Sequence, residues 1–313
     1  MNPQTVLVLG GGPDAEREVS LDSSRAVTEA LRTGGRFAVE FHEIGRTTRA
    51  DLAALDGDVI FPVLHGPWGE GGPLQDLLVR DGRPFVGVGP APARLAMDKV
   101  ATKTMAAMAG VPVTPTAVFN PDDAGCPLPL PVACKPMHEG SSVGLRLVRA
   151  GGCGAAAARA MVEDLAEHPA RIYMIEPLID GVELTVGIVC ARPLPIIRIE
   201  PASGVYDYQA KYHRDDTRYT VHPSLPPGCA EAVTEAAMRI AGALGATELA
   251  RVDFLLDRAG RPWPLEVNTM PGFTSHSLLP MAARAVGLSM TGLCERLVES
   301  ALVRARNPAP TVS

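Results

Sequence analysis

Aromatic residues are scarce in this chain: seven Phe, five Tyr and two Trp make up 4% of 313 residues. Stacking platforms for single-stranded nucleic acid need several aromatics interleaved with cations, and these numbers do not supply them. A positive excess is missing as well, since 29 Lys and Arg stand against 35 Asp and Glu for a formal charge of -6. That balance excludes a protein that binds by neutralising a phosphate backbone. No apolar run reaches the ~18 residues of a membrane span, and the opening MNPQTVLVLGGG has no basic segment ahead of its short apolar stretch. The reading is a cytoplasmic protein with neither nucleic-acid nor membrane partners. The six cysteines, Cys126, Cys134, Cys153, Cys190, Cys229 and Cys294, form no CxxC and have no His at ligand spacing. This argues against a thiolate metal site and predicts reduced packing groups. There is no internal repeat.

What is present is ordinary globular composition, long enough for two or three domains. Thr5 to Leu9 is a buried-strand run ending in Gly10, Gly11 and Gly12. A helix follows, with Asp14, Glu16 and Glu18 crowding its first turn. Phe37 to Ile44 and Val59 to Leu64 continue as strands, the second running into His65 and the glycine-rich GPWGEGGP. A helix from Pro73 and a strand over Pro84 to Val88 close this unit, and the alternation predicts a parallel sheet with ligands at its strands' carboxyl ends. A second unit opens with one helix from Ala91 to Ala109, followed by the strand Pro115 to Phe119 and the strand pair Val132 to Lys135 and Leu145 to Arg149. Gly154 to His168 is a helix. Strands resume over Arg171 to Glu176, Val182 to Cys190 and Pro195 to Glu200, then break for a long polar loop, PASGVYDYQAKYHRDDTRYTVHP. Helices over Glu231 to Leu244 and from Leu278 and Met290 complete the chain.

The stretch RVDFLLDRAGRPWPLEVNTMPGFTSHS, Arg251 to Ser277, carries the strongest chemistry. Folded as a hairpin about Ala259 and Gly260, it sets Val252 against Val267, Phe254 against Leu265 and Leu256 against Trp263 on an apolar face. The opposite face sets Arg251 against Asn268 and Asp253 against Glu266. Two carboxylates about 5 Å apart repel unless a cation lies between them. Oxygen donors from Asp253, Glu266 and Asn268 suit Mg²⁺ holding a phosphorylated substrate. The bland alternative is a solvated sheet face with one ion pair.

Other motifs are weaker alone. Gly10 to Ala15 fits G-x-G-x-x-A, so a dinucleotide-binding oxidoreductase is weighed; no acidic residue stands at a strand end ~20 residues on, and Glu16 would repel a pyrophosphate. Fixed charge there suits an ammonium group or simply the helix dipole. Lys135 ahead of Gly140, Ser141, Ser142 and Gly144 offers a cation and backbone amides to phosphates, although such residues also make plain turns. Glu176 and Glu183 bracket PLIDGV, with Leu178 and Ile179, which could hold a purine and its ribose or simply link two strands. Lys99 by itself reads as a solvated helix lysine, and Lys211 and Tyr212 as part of a solvated charge run. His65 is a satisfied loop histidine or a catalytic one. Ser275, His276 and Ser277 lack a nucleophile elbow, so binding is the better role for Ser277.

Together, GGPDAEREVSL, LHGPWGEGGPLQ, KPMHEGSSVG, YDYQAKY and RVDF with LEVNTMPGFTSHSLLP resemble the D-alanine:D-alanine ligases of the ATP-grasp superfamily over nearly the whole chain. The resemblance implies an α/β fold, α+β in its C-terminal parts. It has an N-terminal parallel-sheet domain (1–90), then a central domain (91–176) and a C-terminal catalytic domain (177–313) whose antiparallel sheets grip ATP. It implies phosphorylation of one D-alanine by ATP, attack of a second on the acyl phosphate, and release of a dipeptide for peptidoglycan. By the same resemblance Lys99, Lys135, Gly140, Ser141, Ser142, Glu176, Leu178, Ile179 and Glu183 serve ATP. Asp253, Glu266 and Asn268 hold two Mg²⁺ or Mn²⁺ ions. Glu16 takes the first ammonium, and Arg251 and the Gly272 amide stabilise the developing oxyanion. Ser277, with Leu278, and Lys211 take the second substrate's carboxylate, His65 lies at the substrate side, and Ser141 and Tyr212 bond with Glu16. A homodimer is expected on the same ground. D-alanine:D-lactate or D-alanine:D-serine ligation is the nearest alternative, and a non-catalytic Ca²⁺ or Mg²⁺ module a more distant one. Met137, His138 and Pro177 depart modestly from the pattern.

Overall fold

The computed structural model describes residues 3–122, 126–140, 143–149, 151–202 and 216–307. It begins with strand β1, Thr5–Gly11, and helix α1, Arg17–Gly34, followed by β2, Ala38–Ile44, α2, Arg49–Ala53, and β3, Val59–Pro62. The three strands form a parallel sheet in the order β2-β1-β3. Alternation along β1 explains why its sequence is apolar throughout: Val6 and Val8 enter one core while Leu7 and Leu9 enter another, and all four are fully buried. The strand expected over Pro84 to Val88 is reduced to one parallel bridge between Ile60 and Phe85. Pro84 has no amide to donate, and Gly87 turns the chain away at φ +97°.

The glycine-rich run after His65 contains a short helical turn, α3, Gly66–Gly69, ahead of α4, Pro73–Asp81. Instead of a single helix from Ala91 to Ala109 there are two, α5, Pro90–Met97, and α6, Lys99–Met108. Asp98 separates them. Its backbone is extended and its carboxylate accepts from the Val100 and Ala101 amides, both at 2.9 Å, so it caps α6 and puts Lys99 in the first turn.

Strands β4, Ala117–Val118, β5, Val132–Pro136, and β6, Arg146–Val148, precede helix α7, Gly154–Glu167, and strand β7, Tyr173–Pro177. They form an antiparallel sheet in the order β4-β7-β5-β6. Phe119, Val132, Cys134, Val148 and Ile175 face Met161 of α7, while the alternate positions Ala133, Lys135, Leu147 and Glu176 face away.

The larger sheet is built from β8, Gly181–Val189, β9, Arg192–Pro193, β10, Ile197–Pro201, β11, Thr217–Val221, β12, Leu249–Asp257, and β13, Pro262–Asn268. Its order is β11-β10-β8-β12-β13, with β9 paired to β8. β11 corrects the reading of a loop running on to Pro223. Thr217, Tyr219 and Val221 alternate with polar residues along an edge strand, and Tyr219 and Val221 pack on the core that also contains Val6 and Val8. Helix α8, Cys229–Leu244, joins α5 and α6 against one face of this sheet, over Leu184, Val186, Val252 and Phe254. On the other face, at its far end, α9, Leu278–Ala285, and α10, Met290–Arg306, pack into a core shared with β1 and α1. The middle of that second face faces the smaller sheet across a cleft of about 590 Å³.

Candidate active site

The β12–β13 hairpin has the expected register at its functional end. Arg251 pairs with Asn268, Val252 with Val267, and Asp253 with Glu266. Beyond Asp253 the register slips by one, pairing Phe254 with Pro264, Leu255 with Trp263 and Leu256 with Pro262. The expected partners Leu265 and Trp263 therefore leave the apolar core and line the cleft with Leu255. The cause lies in RPWPLEV: Pro262 and Pro264 cannot donate ladder hydrogen bonds, so a bulge accommodates them. Trp263 Nε1 then donates to Asp257 Oδ2 at 3.0 Å.

Asp253 is only 4% exposed. Its Oδ1 accepts from Thr185 Oγ1 at 2.6 Å and Arg251 Nε at 3.0 Å, and its Oδ2 accepts from Arg251 Nη2 at 2.8 Å and Asn268 Nδ2 at 3.3 Å. Arg251 is thus engaged with Asp253 in the ligand-free protein. Across the ladder, Glu266 Oε2 lies 3.5 Å from Lys99 Nζ. Lys99 is 7% exposed, so it is a buried site cation and not a solvated helix lysine. Among the described residues no three His, Cys, Asp or Glu side chains gather as a metal cluster. The row here is two carboxylates and an amide, an all-oxygen set that fits a hard divalent cation, and a protein cation already compensates each carboxylate.

The opposite wall carries Lys135, whose Nζ is 2.5 Å from Glu176 Oε1. Glu176 Oε2 accepts from Lys103 Nζ at 2.6 Å and from Thr114 Oγ1 at 2.8 Å. Burial pushes the Glu176 carboxyl up, but Lys135 and then Lys103 outweigh it and hold it at about 2. Burial lowers Lys103, and Glu176 works against that. Lys103 and Thr114 were not among the residues singled out from sequence. The signal for Lys103 was its spacing: Lys99 and Lys103 stand on one face of a helix, where two cations repel unless anions face them. This arrangement sets a pH dependence. Glu176 is stabilising above its unfolded value of about 4.5, and that contribution, about 3 kcal/mol, is lost as pH falls toward 2. Thermal melts of Glu176→Gln are expected to be lower than wild type at pH 7, because Lys103 is left buried without its anion, and to lack this part of the acid dependence. Glu183, Leu178 and Ile179 line the same cleft, and the Leu178 amide donates to the Pro131 carbonyl at 3.0 Å.

Lys99 connects this cleft to the N-terminal sheet. Its Nζ donates to the Glu139 carbonyl at 2.6 Å, and the next residue, Gly140, packs on Glu16, where an added Cβ would stand 3.5 Å from Oε2. Arg171 holds the Glu139 carboxylate at 2.5 and 2.8 Å. Glu16 is the N-cap position of α1 but makes no side-chain cap bond. His65 is buried between the fields of Glu16 and Arg251. Burial lowers its pKa, Glu16 pulls it back, and its Nε2 has no hydrogen-bond partner among the described residues. Asp14 accepts from the Trp68 and Gly69 amides at 2.8 and 3.3 Å and so fixes the turn after His65. Burial, then the charge of Glu16, pushes Glu70 up to about 8. Asp14 and Glu70 were also missed, since acidic residues in glycine-rich turns give no periodic signal.

Gly272 and Ser277 lie together, with Ser277 Oγ 2.7 Å from where a Gly272 Cβ would be. Ser277 Oγ accepts from the Thr274 amide at 3.0 Å, and Ser277 stands at the N-cap of α9, ahead of buried Leu278. Of the residues singled out from sequence, Ser141, Ser142, Lys211 and Tyr212 lie outside the described residues. The G-x-G-x-x-A motif has a packing explanation: a Cβ on Gly10 would stand 2.1 Å from Ser24 Oγ of α1.

A parallel sheet beside two antiparallel sheets that enclose a lysine- and carboxylate-lined cleft defines the ATP-grasp fold. The family described as D-ala D-ala ligase C-terminus matches residues 111–299. A D-alanine–D-alanine ligase of Bordetella pertussis is 43% identical over 96% of this chain and 96% of its own length. A D-alanine–D-alanine ligase of Bacillus anthracis, solved in complex with ATP, superposes with a TM-score of 0.81 at 26% identity, covering 98% of this chain and all of that one. A D-Ala:D-Ser ligase of Enterococcus faecalis superposes at 0.80 with 26% identity, over 96% of this chain and all of that one. The chain belongs to the D-alanine–D-alanine ligase family. The oxidoreductase reading of Gly10 to Ala15 is thereby set aside.

Proposed function

We propose that this protein joins two D-alanine molecules at the expense of ATP. The single observation that carries the reading is the continuity from Lys99 to Glu16. One lysine touches Glu266 of the hairpin and the Glu139 carbonyl, and Gly140, one residue on, packs against the carboxylate suited to an ammonium group. A phosphate site and an amino-acid site therefore meet. ATP lies in the cleft between the antiparallel sheets, served by Lys99, Lys135, Gly140, Ser141, Ser142, Glu176, Leu178, Ile179 and Glu183. Asp253, Glu266 and Asn268 would hold Mg²⁺ or Mn²⁺, whose positive charge offsets the repulsion between nucleotide phosphates and a substrate carboxylate.

Glu16 binds the ammonium of the first D-alanine, with His65 beside it. The γ-phosphoryl group passes to that substrate's carboxylate oxygen, giving an acyl phosphate and ADP. The amine of the second D-alanine, held through its carboxylate by Ser277, Leu278 and Lys211, attacks the acyl carbon; it loses a proton, and phosphate departs. Arg251 and the Gly272 amide stabilise the oxyanion formed in between, and Ser141 and Tyr212 bond with Glu16 to shield the acyl phosphate from water. Positioning and charge suffice, and no protein nucleophile takes part. In this reading the product feeds peptidoglycan synthesis in the cytoplasm, the protein is a homodimer, and the units 1–90, 91–176 and 177–313 are its domains.

Phosphate release from ATP and Mg²⁺ is expected to rise with D-alanine and to yield a product with the mass of the dipeptide. Release that ignores D-alanine would overturn the reading. Competing D-lactate and D-serine in the same assay are expected to leave D-alanyl-D-alanine as the main product.

A further inference from the structure

The loop Met270 to Ser277 is held from the other end of the chain. The Met270 amide donates to Glu70 Oε2 at 3.1 Å, while Glu70 Oε1 accepts from the Gly66 amide at 3.3 Å. The Phe273 amide donates to Ser23 Oγ at 3.1 Å, and the Phe273 ring meets Phe61 edge-on at 5.5 Å. Glu70 is buried and Ser23 is fully buried, one in the turn after His65 and the other on α1. Between the two tethered amides stand Pro271, which has no amide hydrogen, and Gly272. The Gly272 amide is therefore the one amide of this run that neither tether consumes.

We infer that Ser23 and Glu70 are positioning residues that aim the Gly272 amide at the reacting carbonyl by holding the amides on either side of it. This rests on the reaction proposed above. The argument is geometric: a four-residue loop segment fixed at its first and last amides has little freedom left, and each fixing group belongs to a different buried element of the N-terminal sheet unit. The elements that carry Glu16 and His65 thus also set the loop that carries Gly272 and Ser277. A donor for a developing oxyanion works only when it is already aimed, and small misplacements cost large factors in rate. The tethers also give the buried Glu70 carboxyl a role: each of its oxygens accepts one backbone amide.

The test compares Ser23→Ala and Glu70→Gln with wild type. Each is expected to lower kcat on the order of ten- to a hundredfold while leaving the KM for ATP, and the thermal stabilisation by ATP with Mg²⁺, unchanged. Hydrogen exchange at the Phe273 amide should speed up in Ser23→Ala, and at the Met270 amide in Glu70→Leu, a third variant that removes both acceptor oxygens. A purely structural role would lower the melting temperature but leave kcat of the folded enzyme alone, so kcat within twofold of wild type in both variants overturns the inference, as does unchanged exchange at both amides. A wild-type protein with no D-alanine-dependent turnover would instead overturn the proposed reaction, and exchange would then decide the tethers by itself.

Discussion

Asp253→Asn is expected to reduce D-alanine-dependent phosphate release by on the order of a thousandfold with the fold intact, and Glu266→Gln to do the same. The two carboxylates stand directly across the β12–β13 ladder, and Asn268 completes the row. Replacing either acid by its amide keeps size but trades one acceptor oxygen for a donor, and leaves one carboxylate where the proposed divalent cation needs the charge of two. The fold should persist, at a measurable cost in thermal midpoint, because Arg251 loses its anion in Asp253→Asn. At position 253 the Asn oxygen can still accept from Thr185 or Arg251, and Glu266 sits in the cleft wall, not in the core. Steady-state rates at saturating ATP, with thermal midpoints measured alongside, decide the matter. A rate within tenfold of wild type in either variant would remove that residue from the cation site.

Much of this site was legible in the sequence because it depends on strand periodicity. Counting positions from the turn puts Asp253 opposite Glu266 and Arg251 opposite Asn268 whatever the rest of the fold does. The same counting failed past Asp253, where two prolines in RPWPLEV impose a bulge and send Trp263 and Leu265 to the cleft. Alternation sees side chains, whereas the missing amide donors of Pro262 and Pro264 are a backbone property. Lys103 illustrates a second limit. It is helical, and its face was readable from Lys99, but its anion is Glu176, 73 residues away on β7, and only the tertiary fold joins them. Ser23 and Glu70 lie further still from the loop they hold, separated from it by 250 and 200 residues. Nothing local in SLDSS or GEGGP announces a bond to Phe273 or Met270.

The shared cores explain why these distant partners meet. The chain's last helices do not stay with the large sheet alone: Leu293, Leu297 and Val298 of α10 bury against the same cluster as Val6, Val27 and Phe61. α5 and α6 likewise pack on the large sheet, with Ala93 and Ala106 in one cluster with Val252 and Phe254. The cleft walls are therefore braced by elements from both ends of the sequence, and the N-terminal sheet and the large sheet are joined by apolar packing as well as by polar tethers.

Arg251→Ala is expected to move two measurements in opposite directions. The guanidinium covers both oxygens of Asp253, at 3.0 and 2.8 Å, and the carboxylate is almost fully buried. In the ligand-free protein Arg251 is thus the cation paired with Asp253, and a divalent ion that binds the Asp253, Glu266 and Asn268 row would compete with it. Removing the side chain leaves Asp253 buried beside only neutral partners, Thr185 and Asn268. Mg²⁺ binding without nucleotide should then tighten, by roughly tenfold, because the ion no longer has to displace an internal cation and an unpaired buried charge is costly. Turnover should fall by about two to three orders of magnitude, because in the reaction proposed above the guanidinium meets the charge that develops on the reacting carboxyl. Arg251→Lys is expected to recover little of it, since a single ammonium cannot reproduce a two-pronged contact. Calorimetric Mg²⁺ titration beside steady-state rates checks both signs. Loss of metal binding together with activity would mean only a damaged fold, and unchanged Mg²⁺ affinity would mean that Arg251 and the cation do not share Asp253.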